Sequence, residues 1–162
     1  MNVGSLLRST EGLGIDHIYL TGYTPYPSFP GDKRLPHIAN KVNAKIAKTA
    51  LGAEIHANWS YKQDIFELVE ELKSNGYKIL ALEQTDSSTP LHKAEISPKM
   101  ALICGREVDG IETEVLSIAD EAVEIPMAGH KESFNVATAA AMALYIIKLK
   151  SNGQIATIDD KI

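Results

Sequence analysis

The sequence predicts an α/β fold with a mainly parallel sheet flanked by helices. Short apolar and β-branched runs, typical of strands, alternate with segments in which apolar residues recur at helical spacing. Strands are expected at residues 17–21, 54–57, 78–82, 101–104 and 122–125. Because strands that alternate with helices usually pair in parallel, this order of elements predicts the fold class.

Two helices are expected with defined ends. The clearer one covers residues 63–74, where apolar side chains form a single stripe. Ser60 and Gln63 form a predicted capping box at its start, and an Asn-Gly pair follows its end. The last helix is expected from about Asn135 to Lys150, with Ser133 or a neighbour as its cap.

Length and composition predict one globular domain. The chain has 162 residues, 44% of them hydrophobic, so a full core is possible without disulfides. We expect the domain to cover residues 1–150, and the polar segment 151–162 to be a flexible tail. The one cysteine, Cys104, excludes an internal disulfide and fits a cytoplasmic location. No apolar run is long enough to span a membrane, and the histidine spacing predicts no metal site.

Basic residues are concentrated in one segment, although the net charge is −5. Lys33 and Arg34 lie in a proline-rich loop at residues 22–36, and Lys41, Lys45 and Lys48 follow at the spacing of one helix face. This pattern fits either an ordinary solvated face or a track for RNA phosphates. Aromatic residues of the same loop either stack on an unpaired base or pack the loop down.

Polar loops follow three of the predicted strands. They begin at Glu83, at Gly105 and at Pro126, and the second has glycines near both ends. Because ligands of open α/β sheets bind beyond the carboxyl ends of the strands, these loops are expected to form one pocket. The sequence has no motif of the common nucleotide triphosphatases, dinucleotide enzymes or serine hydrolases.

Three segments resemble the motifs of one known family. They are residues 2–9 (NVGSLLRS), residues 102–111 (LICGREVDGI), and residues 125–129 (IPMAG) followed by 132–137 (ESFNVA). Their order and spacing are similar to those of the SPOUT methyltransferases, in the SpoU/TrmH branch. The resemblance implies an RNA ribose 2′-O-methyltransferase that uses S-adenosylmethionine, acts on tRNA or rRNA, forms a homodimer and contains a deep C-terminal trefoil knot.

The resemblance also implies roles for individual residues. Those implied in catalysis are Asn2, Arg8, Glu107, Ser133 and Asn135, and those implied in cofactor binding are Leu82, Gly105, Ile125, Met127 and Phe134. Arg8 matches the arginine that activates the 2′-hydroxyl. Because arginine is a poor base, its role as the base or as an orienting group stays open.

The motif-one asparagine is residue 2, whereas family members have a strand before it. Either the chain is truncated, or an element beside the catalytic loop is absent. The second case leads to an alternative reading, in which the chain is a catalytically silent module that binds RNA or S-adenosylmethionine. An unrelated α/β enzyme acting on a small molecule is a third reading.

Overall fold

The computed structural model describes residues 2–106 and 109–151. It confirms an α/β fold with parallel sheets flanked by helices. The described strands lie in two sheets, one of two strands and one of four. The chain divides into two compact units, the first ending at Ile65 and the second beginning at Phe66.

The first unit contains a two-stranded parallel sheet and its helices. Its elements are α1 (Asn2–Gly12), β1 (Ile18–Thr21), α2 (Pro36–Ala50), α3 (Ala53–His56) and β2 (Trp59–Lys62). One apolar cluster includes Leu7 of α1, Leu20 of β1 and Ile46 of α2. Leu7 and Ile46 have no exposed surface, and burial of side chains of this size contributes about 1.5–3 kcal/mol each.

Helix α1 lies close to α2 at Gly4. A Cβ atom built on Gly4 would overlap both Thr49 Oγ1 and the carbonyl oxygen of Ile46, and would lie 2.9 Å from the amide nitrogen of Ala50. The atoms of Ile46 and Ala50 belong to the α2 backbone, so no side-chain rotation can make room. Only glycine therefore allows the two helices to come this close.

We expect Gly4→Ala to lower the free energy of unfolding of the first unit, because α1 has to move away from α2. Overpacking of this kind costs about 1–3 kcal/mol. Gly12→Ala is the matched control, since nothing lies within 4 Å of a Cβ atom built at Gly12 on the same helix. Urea unfolding measures both variants, and equal midpoints for the two would contradict the close approach.

The strand predicted at residues 54–57 is wrong. The chain forms the single helical turn α3 there, preceded by Gly52 at a φ of 94°, and the strand follows as β2. A segment of four residues is too short for periodicity to distinguish a helical turn from a strand. Ser60 is correspondingly part of β2, where its Oγ lies 2.8 Å from His17 Nε2, and does not begin the next helix.

The second unit contains the four-stranded parallel sheet. Its elements are α4 (Ile65–Ser74, whose first residue belongs to the first unit), β3 (Lys78–Leu82), β4 (Thr89–Pro90), β5 (Met100–Cys104), α5 (Thr113–Ser117), β6 (Glu121–Glu124) and α6 (Val136–Ser151). The strand order is β4-β6-β3-β5, so β6 enters between two strands that precede it in the chain. Leu80 of β3 and Val123 of β6 have no exposed surface and lie in the core with Ala143 of α6.

The other predicted elements agree with the structure to within two residues at each end. The remaining four predicted strands correspond to β1, β3, β5 and β6. Gly76, at a φ of 81°, follows α4 as expected. Asn135 caps α6, because its Oδ1 accepts a hydrogen bond from the Ala137 amide at 3.0 Å. Ser151 is the last residue of α6, and the rest of the predicted tail lies outside the described residues.

Candidate functional site

The loops after β3, β5 and β6 meet at one edge of the four-stranded sheet. The three strands are neighbours and parallel, so their carboxyl ends lie side by side. The loops enclose a cleft of about 250 Å³. This is the position at which open α/β sheets bind ligands, and it is where the sequence predicted a pocket.

All five residues predicted to bind the cofactor line this cleft. Leu82 comes from β3, Gly105 from the loop after β5, and the other three from the segment after β6. These three are Ile125, Met127 and Phe134. These five residues give the cleft an apolar part, with main chain at Gly105, and charged side chains such as Glu83 and Arg106 line the rest. Their role in cofactor binding stays a prediction.

The loop that follows β5 is closed on itself. The Arg106 amide donates a hydrogen bond to the Gly110 carbonyl oxygen at 2.8 Å, and a Cβ atom built on Gly105 would overlap the Gly110 carbonyl group. Gly110 has a φ of 67°, which favours glycine. The two glycines of this loop are therefore required by its geometry. Glu107, predicted to be catalytic, lies outside the described residues.

Glu83 is a cleft residue to which sequence reasoning assigned no role. Its Oε2 accepts a hydrogen bond of 2.7 Å from the Ile111 amide, and its own amide donates one of 3.0 Å to the Val123 carbonyl oxygen. Glu83 thus contacts both the loop after β5 and the end of β6. The sequence does contain one indication of a role for Glu83, because a charged residue there directly follows the apolar run that forms β3.

Three other charged side chains of the cleft, those of Arg106, Asp109 and Glu124, have partners within the described chain. Arg106 lies 3.3 Å from Asp109 and 3.7 Å from Glu112, and Glu124 accepts a hydrogen bond of 2.8 Å from the Ser88 hydroxyl. These contacts tie the cleft loops to one another and to neighbouring segments.

Cys104 ends β5 at the cleft. Burial raises the pKa of its thiol to about 12. The thiol is therefore protonated at neutral pH, and a protonated thiol is a poor nucleophile. Cys104 serves as a wall of the cleft and not as a reactive group.

Of the predicted catalytic residues, the structure places Ser133 at the cleft. Ser133 is exposed and lines it, while Asn135, two residues later, caps α6. Asn2 and Arg8 belong to α1 in the first unit, where Asn2 is half-buried and Arg8 is exposed.

The predicted RNA-binding residues divide into two groups. Lys33, Lys41, Lys45 and Lys48 are exposed, and the last three lie on α2. Arg34 instead donates hydrogen bonds to Asp32 and to the carbonyl oxygens of Tyr26 and Pro27, and its side chain is 19% exposed. The hydrogen bond from Arg34 also lowers the pKa of the Asp32 carboxyl.

The aromatic residues of the same loop pack largely against the protein. The Arg34 guanidinium lies 3.7 Å from the centre of the Tyr26 ring, and Tyr26 contacts Tyr61 with ring centres 4.2 Å apart. Phe29 meets Trp59 edge to face at 6.1 Å. Tyr23 is 65% exposed. Tyr26 and Phe29 therefore hold the loop down, which was one of the two readings of the sequence.

Among residues 2–106 and 109–151, no group of three His, Cys, Asp or Glu side chains is arranged to hold a metal ion. In the same residues, no helix has both the length and the apolar character needed to cross a membrane.

The fold and the cleft define an α/β protein with a cleft beyond the ends of three adjacent parallel strands. Within that class, the chain belongs to the SpoU rRNA Methylase family, which matches residues 1–145. This finding confirms the family suggested by the three sequence motifs.

Two curated relatives and one solved structure illustrate the similarity. The chain is 28% identical to a tRNA (guanosine(18)-2′-O)-methyltransferase of Borreliella burgdorferi, over 92% of this chain and 61% of the relative. It is 27% identical to the 23S rRNA (guanosine(2553)-2′-O)-methyltransferase RlmP of Bacillus subtilis, over 91% of this chain and 53% of the relative. The chain thus spans between one half and two thirds of their lengths.

The solved structure is the SpoU methyltransferase AviRb from Streptomyces viridochromogenes in complex with the cofactor AdoMet. It superposes with a TM-score of 0.76 and 20% identity, over 95% of this chain and 54% of AviRb. At this identity the likeness establishes the fold.

Proposed function

We propose that this chain transfers a methyl group from S-adenosylmethionine to the ribose 2′-hydroxyl of a tRNA or rRNA nucleotide. The cleft at the ends of β3, β5 and β6 carries the proposal, because it lies where open α/β sheets bind ligands, in a chain of the SpoU rRNA Methylase family. The two relatives are named as 2′-O-methyltransferases of tRNA and of 23S rRNA, and AviRb was solved with AdoMet.

The walls of the cleft suit the adenosine part of the donor. Small-molecule sites are mostly apolar with a few placed polar groups, and here apolar side chains adjoin exposed main chain. We assign donor binding to the five residues predicted from the sequence: Leu82, Gly105, Ile125, Met127 and Phe134.

The reaction requires an oriented hydroxyl. When bound, S-adenosylmethionine would supply a sulfonium methyl group to the ribose oxygen and would leave as a neutral thioether, with the hydroxyl proton passing to the group that acts as base or to water. Arg8 is assigned the orientation or activation of this hydroxyl, and Asn2 its positioning. Ser133 and Asn135, together with Glu107, are assigned to the active site. A ribose hydroxyl is a weak nucleophile, so such placement accelerates transfer.

Two measurements on the purified chain test the proposal. Isothermal titration with S-adenosylmethionine measures donor binding, and transfer of a labelled methyl group to total RNA measures activity. We expect both, with the label on ribose 2′-oxygens. Donor binding without transfer would instead indicate the catalytically silent module, and absence of binding would favour the unrelated enzyme.

The exposed lysines of α2 are proposed to contact RNA phosphates. Replacing Lys41, Lys45 and Lys48 together with glutamate is expected to weaken RNA binding and to flatten its salt dependence, by about 0.7 in slope for each lost contact with a single strand. Filter binding across a salt series measures this, with donor affinity expected to stay unchanged. Lys93→Glu, an exposed change in the second unit, is the control. If the salt dependence of RNA binding is unchanged in the triple variant, these lysines do not contact RNA phosphates and form an ordinary solvated face.

We further propose a homodimer and a trefoil knot. Helix α6 is rich in apolar residues on all its faces, and Tyr145 is 54% exposed, which favours burial against a second copy. The knot is proposed from the family to which the chain belongs, and the strand order β4-β6-β3-β5 is compatible with it. Sedimentation velocity tests the dimer, and tracing the chain in an experimental density map tests the knot.

A further inference from the structure

Glu83 joins the end of β3 to the loop after β5 and to strand β6. It follows β3 directly, its carboxylate accepts the Ile111 amide of the loop after β5, and its own amide donates to the carbonyl oxygen of Val123 in β6. Both contacts join segments far apart in the sequence; Glu83 and Ile111, for example, are 28 residues apart. One residue therefore fixes the relative placement of neighbouring strand ends.

The loop after β5 is shaped to receive this carboxylate. A Cβ atom on Gly110 would overlap Glu83 Oε2 and lie 3.0 Å from its carboxyl carbon. The carboxylate thus occupies the space that any other residue at position 110 would fill. The Ile111 amide, next in the chain, donates the hydrogen bond. Glycine and carboxylate fit together as a pair, and the loop is held against β3.

We propose that Glu83 is a positioning residue for the donor cleft. Its carboxylate holds Gly110 and Ile111 in the position that leaves the cleft open to S-adenosylmethionine. Glu124 and Asp109, two other carboxylates of the cleft, contact Ser88 and Arg106 instead, so neither replaces Glu83 at the Ile111 amide. The inference rests on the proposed function for the identity of the ligand, but the loop contact is measurable without any ligand.

Three variants separate positioning from a general effect on folding. Glu83→Ala removes the acceptor, Glu83→Gln retains an oxygen that accepts the same hydrogen bond, and Asp86→Ala changes an exposed residue of the same loop. Hydrogen exchange at the Ile111 amide reports the loop contact, and titration with S-adenosylmethionine reports the cleft. Thermal unfolding of each variant reports global stability.

We expect Glu83→Ala to increase exchange at Ile111 and to weaken donor binding, each by about tenfold. Glu83→Gln should recover most of both, and Asp86→Ala should match the wild type. Wild-type exchange in Glu83→Ala would overturn the loop contact, and wild-type donor affinity despite faster exchange would overturn the role in the cleft. If the wild-type chain does not bind S-adenosylmethionine, the proposed function is wrong, and so is the role of Glu83 in donor binding. Hydrogen exchange at the Ile111 amide still tests the contact between Glu83 and the loop after β5.

Discussion

Arg8→Ala is expected to abolish methyl transfer while S-adenosylmethionine binding stays intact. A guanidinium group offers five hydrogen-bond donors in one plane, and alanine offers none. Loss of a group that orients or activates a weak nucleophile reduces turnover by about 100-fold or more. Single-turnover transfer of a labelled methyl group to RNA measures the loss, and isothermal titration measures donor affinity.

The fold should tolerate this change. Arg8 is exposed on α1, whereas the buried residues of the helix are Val3, Gly4, Leu7 and Thr10. Exposed substitutions of this kind usually alter stability by less than about 0.5 kcal/mol. Glu11→Ala, one turn further along the exposed side of α1, is the control and should retain full turnover. If Arg8→Ala keeps wild-type turnover, Arg8 has no role in methyl transfer.

Gly105→Ala is expected to weaken donor binding by at least about tenfold, which corresponds to roughly 1.4 kcal/mol. The new methyl group would overlap the Gly110 carbonyl group and approach the Ile111 amide nitrogen at 2.5 Å. All of these are backbone atoms, so the loop after β5 has to shift, and it forms one wall of the cleft. Isothermal titration with S-adenosylmethionine measures the effect.

Gly129→Ala provides the comparison for Gly105→Ala. It introduces the same methyl group into the loop after β6, where nothing lies within 4 Å of the built Cβ atom. We expect it to bind the donor as the wild type does. Equal affinities for the two variants would show that the close contact at Gly105 does not shape the donor site.

The parts of the fold that the sequence predicted are those with a strong local pattern. Residues 78–82 are a continuous apolar run and form β3 at the same bounds. The second strand was placed too early, because β2 has aromatic residues at Trp59 and Tyr61 that alternate with polar ones, and the preceding helical turn is only four residues long. A pattern this short carries little information about secondary structure.

The sequence predicted which loops form the candidate site, but not the hydrogen bonds that join them. The three loops were expected at one pocket because parallel strands end at the same edge of a sheet. The hydrogen bond from Ile111 to Glu83 joins distant segments, so no local pattern indicates it. Arg34 shows the same limit: its charge suggested a phosphate contact, whereas its partners Asp32 and Tyr26 are visible only in the folded loop.

The position of β6 has a consequence for synthesis on the ribosome. In the described part of the chain, β4 has β6 as its only neighbour, and β3 has β6 on one side. A nascent chain that has not reached Glu121 therefore leaves two strand edges unpaired, and unpaired edges favour association with other chains. The four-stranded sheet can close only after translation has passed β6, so its assembly is a late, non-local event of the kind that slows folding.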